Sequence, residues 1–262
     1  MMEENVKQGQ GNIGIKYCLF FGVIFLVIAM PLRGWCKNWE MGVVVDGLER
    51  LIFGLIELYV FVKVFQKSGW RDVLHFKNYK KALAACAGIF LCMGYLVAVV
   101  VFYAASFSEM SLEIIIFILL FQQITTGFFE EMNFRAFLLE GYYQNGEYTW
   151  KRRLSYALLS FGVFGAIHII GCETLSIAAS RFLMTGAIGF VFAVSYLYSH
   201  NIIIPMLLHF AYDVCAHLGD VVEEWRDITV VMKVQQYVYP VLLIVAVGIS
   251  LFFIFKKQDE LY

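Results

Sequence analysis

Charge is scarce in this sequence. Only 16% of its 262 residues are Asp, Glu, Lys or Arg, and the formal net charge is -1. A nucleic-acid partner needs a clustered basic surface, so that class of function is set aside. Also lacking is any polar connection long enough for a second domain; the longest run over 66–81 and 219–235. There is no internal repeat and no low-complexity tract. The first apolar stretch has no small-residue cleavage site, so a retained helix is expected rather than a removed signal peptide. Neither end carries a prenylation box, and Tyr262 follows the only stretch that looks like an ER-retention signal. Two hydrolase signatures are missing as well: no H-E-x-x-H helix for zinc and no Gly-x-Ser nucleophile turn.

Apolar residues are abundant instead. They make up 61% of the chain, against roughly 45–50% in soluble domains. Stretches near the ~20 residues that a helix needs to cross hydrocarbon lie at 16–33, 43–65, 82–104, 112–139, 154–171, 177–199, 202–218 and 236–255. The expected fold is all-α, a polytopic membrane helix bundle of about eight transmembrane helices, forming one integral membrane domain over 1–262. Lys63, Lys67, Arg71, Lys77, Lys80 and Lys81, then Lys151, Arg152 and Arg153, then Lys256 and Lys257 fall on one side of that topology. Glu109, Glu113, Asp220, Glu223, Glu224 and Asp227 fall on the other. Since basic loops stay inside, both termini are expected in the cytoplasm. Cys18, Cys86, Cys92 and Cys215 lie within apolar stretches and read as small packing residues.

Against that background a few ionisable residues stand out. An Asp, Lys or Arg at the centre of a membrane helix costs about 2.5–3.5 kcal/mol on insertion scales, so such groups usually face the bundle interior and mark function. Glu131 and Arg135 are spaced i,i+4, within ion-pair reach on one helical face. Glu130, turned about 100° from Glu131, has no such cation, since residue 134 is Phe and residue 126 is Thr. A desolvated carboxylate that no cation claims suits general acid–base chemistry. Phe164 and His168 share a face of the next segment. In the seventh, His209 and Asp213 are at i,i+4, where a carboxylate can accept from one ring nitrogen and fix the tautomer of the other. His217, one or two turns further, reads as packing or solvated. Counted from Lys151, His168 lies about 17 residues or ~25 Å into its helix, deeper than Glu130 and His209.

Two chemistries fit this set. His168 and His209, with the carboxylates, can ligate a divalent metal such as Zn²⁺ and leave a position for water. Alternatively Glu130 activates water directly while the two histidines stabilise an oxyanion. Both are hydrolysis.

Glu130-Glu131-x-x-x-Arg135, Phe164-x-x-x-His168 and His209-x-x-x-Asp213, in that order on three membrane helices, resemble the signature of the CPBP family of intramembrane proteases. That family includes the type II CAAX prenyl endopeptidases and the bacterial Abi proteins linked to bacteriocin processing and self-immunity. The approach Asn201-Ile202-Ile203-Ile204-Pro205-Met206-Leu207-Leu208-His209 is similar to the family's as well, and the resemblance covers about 112–218. It implies that Glu130 is the water-activating base, that His168 and His209 complete the site, and that Glu131 and Arg135 support it. Asp213 stands where family members often carry Asn, which adds negative charge beside His209. The compact loops look bacterial, and the expected substrate is then a small membrane-associated peptide or protein. A non-proteolytic immunity or scaffold protein binding a peptide partner is the alternative. A proton-coupled transporter is disfavoured, because no pair of Gly/Pro-interrupted spans is evident.

Overall fold

The computed structural model describes residues 2–36, 38–64, 79–139 and 149–256, with side chains of the first helix from Gly14 onward except Met30 and Arg33, and of the second from Met41 onward. Nine helices make up most of these residues: α1 Met2–Trp35, α2 Trp39–Val64, α3 Tyr79–Ala85, α4 Ala87–Tyr103, α5 Leu112–Phe137, α6 Trp150–His168, α7 Leu175–Ser199, α8 Ile203–His217 and α9 Ile228–Phe255. The expected all-helical bundle is therefore observed. Lys67, Arg71, Lys77 and Lys257 lie outside the described residues.

Several helices begin before their apolar stretches because polar residues cap them. Thr149, Thr174 and Asp227 accept hydrogen bonds from the backbone N–H of Arg152, Ile177 and Val230, which satisfies an amide that has no partner in the first turn. So α9 starts at Ile228, ahead of the apolar stretch at 236–255. At its far end α7 stops at His200, whose left-handed backbone (φ 46°) turns the chain into α8.

The helix α7 forms the centre of the bundle, with every residue from Gly186 to Ser199 buried. It packs most extensively against α6. The close approach is possible because Gly189 has no side chain; a Cβ there would come within 2.8 Å of Phe164 Cβ. Small residues at helix crossings are how membrane helices gain van der Waals contact when no hydrophobic force separates them from lipid. Outward faces carry exposed Phe20, Val27, Ile244 and Phe252, as a lipid-facing surface requires.

Three described helices are long and apolar enough to cross a membrane, Leu112–Phe137, Leu175–Ser199 and Ile228–Phe255; a fourth span results if α3 and α4, bent by 64°, are one. The expected count of eight spans is thus not established by length and composition. Two contacts join connections of like charge. A two-stranded antiparallel ribbon, β1 Ala104–Phe107 with β2 Val222–Trp225, joins the two acidic connections. At another point Arg153, buried rather than solvated, donates to the carbonyls of Ile254 (2.7 Å) and Lys256 (2.9 Å), so the start of α6 and the end of α9 meet. A cation at a helix C-terminus also complements its dipole.

If the acidic ribbon is the outer face, single cysteines placed in a cysteine-free background at Glu224 should react with an impermeant maleimide on intact cells, and cysteines at Lys81 or Arg152 should not. Labelling of Lys81 or Arg152 positions from outside would invert this topology.

Candidate active site

The motif residues converge from α5, α6 and α8. In α5, the α-helical turns of Gln123–Glu131 lie between two π-helical segments, Phe117–Gln122 and Met132–Phe137. Such insertions widen a helix and frequently accompany functional sites. Gly127 sets how near α8 can come: a Cβ there would sit 3.2 Å from the Met206 carbonyl oxygen and 3.5 Å from His209 Cβ. That contact brings the His209 turn beside Glu130 and Glu131.

Glu131 is fully buried and acts as the hub. Its Oε1 pairs with Arg135 Nη1 at 3.0 Å and accepts from His209 Nδ1 at 2.7 Å. Arg135, also without solvent exposure, donates through Nη2 to the Gly189 carbonyl at 3.2 Å. Its guanidinium carbon lies 4.7 Å from the Phe164 ring centroid and 5.6 Å from that of Phe192, so two aromatic faces replace part of its lost hydration. Phe192 also stacks near the His209 ring, at 5.0 Å between centroids.

With Nδ1 engaged by Glu131, His209 presents Nε2 to the interior of the site, 3.2 Å from Asp213 Oδ2 and 3.8 Å from Glu130 Oε2. His168 is oriented in the same way. Its Nδ1–H donates to the Phe164 carbonyl at 2.7 Å, since a carbonyl can only accept. Its Nε2 then points to Glu130 Oε2 at 4.0 Å. The depth mismatch counted from Lys151 is removed by this contact: His168 is the last residue of α6 and still reaches the Glu130 level. Glu130 Oε2 itself is buried and has no hydrogen-bond partner.

Glu130, Phe164, His168, His209 and Asp213 line a cavity of about 340 Å³ together with Gln122, Tyr212 and Arg50, within the range of small ligand pockets. His217 lines it too; its side chain is exposed, as the solvated reading expects, and pairs with Asp220 at 2.6 Å. Four features had not been read from the sequence: the Glu131–His209 contact, the place of Phe192 under the guanidinium, and Gln122 and Arg50 in the wall. Arg50 carried a usable signal, being a charged residue inside an apolar stretch. The cross-helix contacts carried none, because no single helix face encodes its neighbour.

The chemistry of two oriented imidazoles suits zinc, whose histidine ligands are held by a second hydrogen bond. Their positions do not. Donors about 2.0 Å from a tetrahedral zinc ion lie about 3.3 Å apart, whereas both imidazoles stand 3.8–4.0 Å from Glu130, and no group of three or more His, Cys, Asp and Glu among the described residues is arranged for a metal ion.

No curated protein and no solved structure matches the chain. Residues 112–215, which hold Glu130, Glu131, Arg135, Phe164, His168, His209 and Asp213, match the family model described as Type II CAAX prenyl endopeptidase Rce1-like.

Proposed function

We propose that the protein hydrolyses a peptide bond of a membrane-associated peptide or small protein with water activated by Glu130. The observation that carries this reading is the unpartnered, buried Oε2 of Glu130, flanked by two imidazole Nε2 atoms at 3.8 and 4.0 Å. These gaps are too long for direct hydrogen bonds and suit a water that bridges the groups. Glu130 takes a proton from that water as its oxygen attacks the scissile carbonyl carbon. Where Nε2 of His168 and His209 carries a proton, it donates to the oxyanion that develops. Glu130 then returns the proton to the leaving amine as the C–N bond breaks. Asp213, 3.2 Å from Nε2 of His209, releases that N–H as the oxyanion forms, and Arg135 fixes Glu131, which fixes Nδ1 of the same ring. Maturation of a bacteriocin or signalling peptide in a bacterial membrane is the setting this reading favours.

Purified protein in detergent, incubated with a peptide library, should release fragments, and cleavage should survive EDTA and 1,10-phenanthroline with no stoichiometric zinc in elemental analysis. Zinc at one equivalent per chain, whose removal stops cleavage, would replace Glu130 alone with a metal-assisted site at His168 and His209.

A further inference from the structure

One wall of the cavity has a polarity that hydrolysis does not use. Among the described residues lining it, Glu130 and Asp213 supply carboxylates and Arg50 is the permanent cation. Arg50 belongs to α2, outside the segment that matches the family. Its Nη1 is held by Asp46, one turn earlier, and Asp46 Oδ2 accepts in turn from Gln122 Nε2 of α5 at 2.8 Å. The guanidinium is thus fixed relative to the helix that carries Glu130. The α2–α5 contact is close because Gly47 faces Phe121, where a Cβ would stand only 3.1 Å from the ring.

Asp46 occupies one edge of the guanidinium. The Nε edge remains, and its N–H is buried without a hydrogen-bond partner. A buried, unmatched donor on a cation is costly, and an arginine edge is shaped to receive the two oxygens of a carboxylate. Among the described residues Asp46 is the carboxylate within ion-pair distance of the guanidinium, and Glu130 and Asp213 act on it only at longer range.

We propose that Arg50 is the specificity residue of the cavity: its Nε edge anchors a carboxylate of the substrate while the scissile bond lies at Glu130. The inference rests on the endopeptidase reading above. The carboxylate has two sources, the C-terminus of the peptide or an Asp or Glu side chain near the cleaved bond.

The test uses full-length protein and decapeptides, each made as C-terminal acid or amide and with Glu or Gln beside the scissile bond. Wild type should prefer one carboxylate form over its neutral counterpart by about 10–100-fold in kcat/KM, the range of a charged hydrogen bond. In Arg50→Gln that ratio should collapse towards one, and Arg50→Lys should restore part of it. The pair of peptides that differs identifies the source. Should Arg50→Gln fail to fold because Asp46 loses its cation, the double change with Asp46→Asn keeps a neutral pair and is read in the same way. Binding of the same peptides to Glu130→Gln is measured in parallel. Carboxylate-dependent binding without any cleavage by wild type would overturn the protease reading and leave Arg50 its role. Cleavage without a carboxylate preference, or with one that survives Arg50→Gln, would overturn the anchor alone. Neither cleavage nor carboxylate-dependent binding would overturn both.

Discussion

Glu130→Gln should lower cleavage by about 10²–10⁴-fold, the usual contribution of general acid–base catalysis, while expression and melting temperature stay close to wild type. The substitution keeps side-chain volume and removes the base. Its carboxylate faces imidazoles at 3.8–4.0 Å, and among the described residues no Lys or Arg forms a salt bridge with it. Activity and stability therefore separate at this position. A parallel fall in melting temperature would make Glu130 a structural member of the bundle and move the search for a base to Glu131 or Asp213. Full biological function of the Gln variant in cells would favour the immunity or scaffold alternative.

The opposite behaviour is expected at the Glu131–Arg135 pair. Both side chains have no solvent exposure, and breaking such a pair from one side costs about 3–5 kcal/mol, since it leaves an uncompensated buried charge. For a chain of this size that is a fall on the order of 10 °C in melting temperature. Arg135→Leu removes the ion pair, the bond to the Gly189 carbonyl and the stacking on Phe164. Glu131→Gln weakens the hold on His209 as well, so it should reduce turnover even in the fraction that stays folded. The double variant Glu131→Gln/Arg135→Leu should be more stable than the sum of the single losses predicts. Strict additivity in that cycle would deny the coupling.

What could be read in advance follows the period of the helix. Spacing of i,i+4 placed Glu131 with Arg135, Phe164 with His168 and His209 with Asp213, and all three pairs are in contact. The helix fixes those distances before any tertiary packing. The contact of His209 with Glu131 depends on how closely α8 approaches α5, which Gly127 decides, and a glycine in an apolar run does not announce its neighbour. Phe192 was one aromatic residue among many until α7 placed it under Arg135. Arg153 read as a loop charge on the basic side, yet it is a buried clamp on the end of α9. The helical class was legible from composition, but the number of spans was not. Hydropathy sees apolar length, whereas α3 and α4 divide one apolar stretch by a 64° bend.

The central claim is that water activated at Glu130 enters a peptide bond. Cleavage of the library by purified wild type in H₂¹⁸O, read by mass spectrometry, addresses it directly. The account predicts one ¹⁸O in the newly formed C-terminal carboxylate of each product, and loss of those products with Glu130→Gln. Folded wild type that cleaves nothing, or a Glu130→Gln variant that yields the same labelled fragments at the same rate, would contradict it.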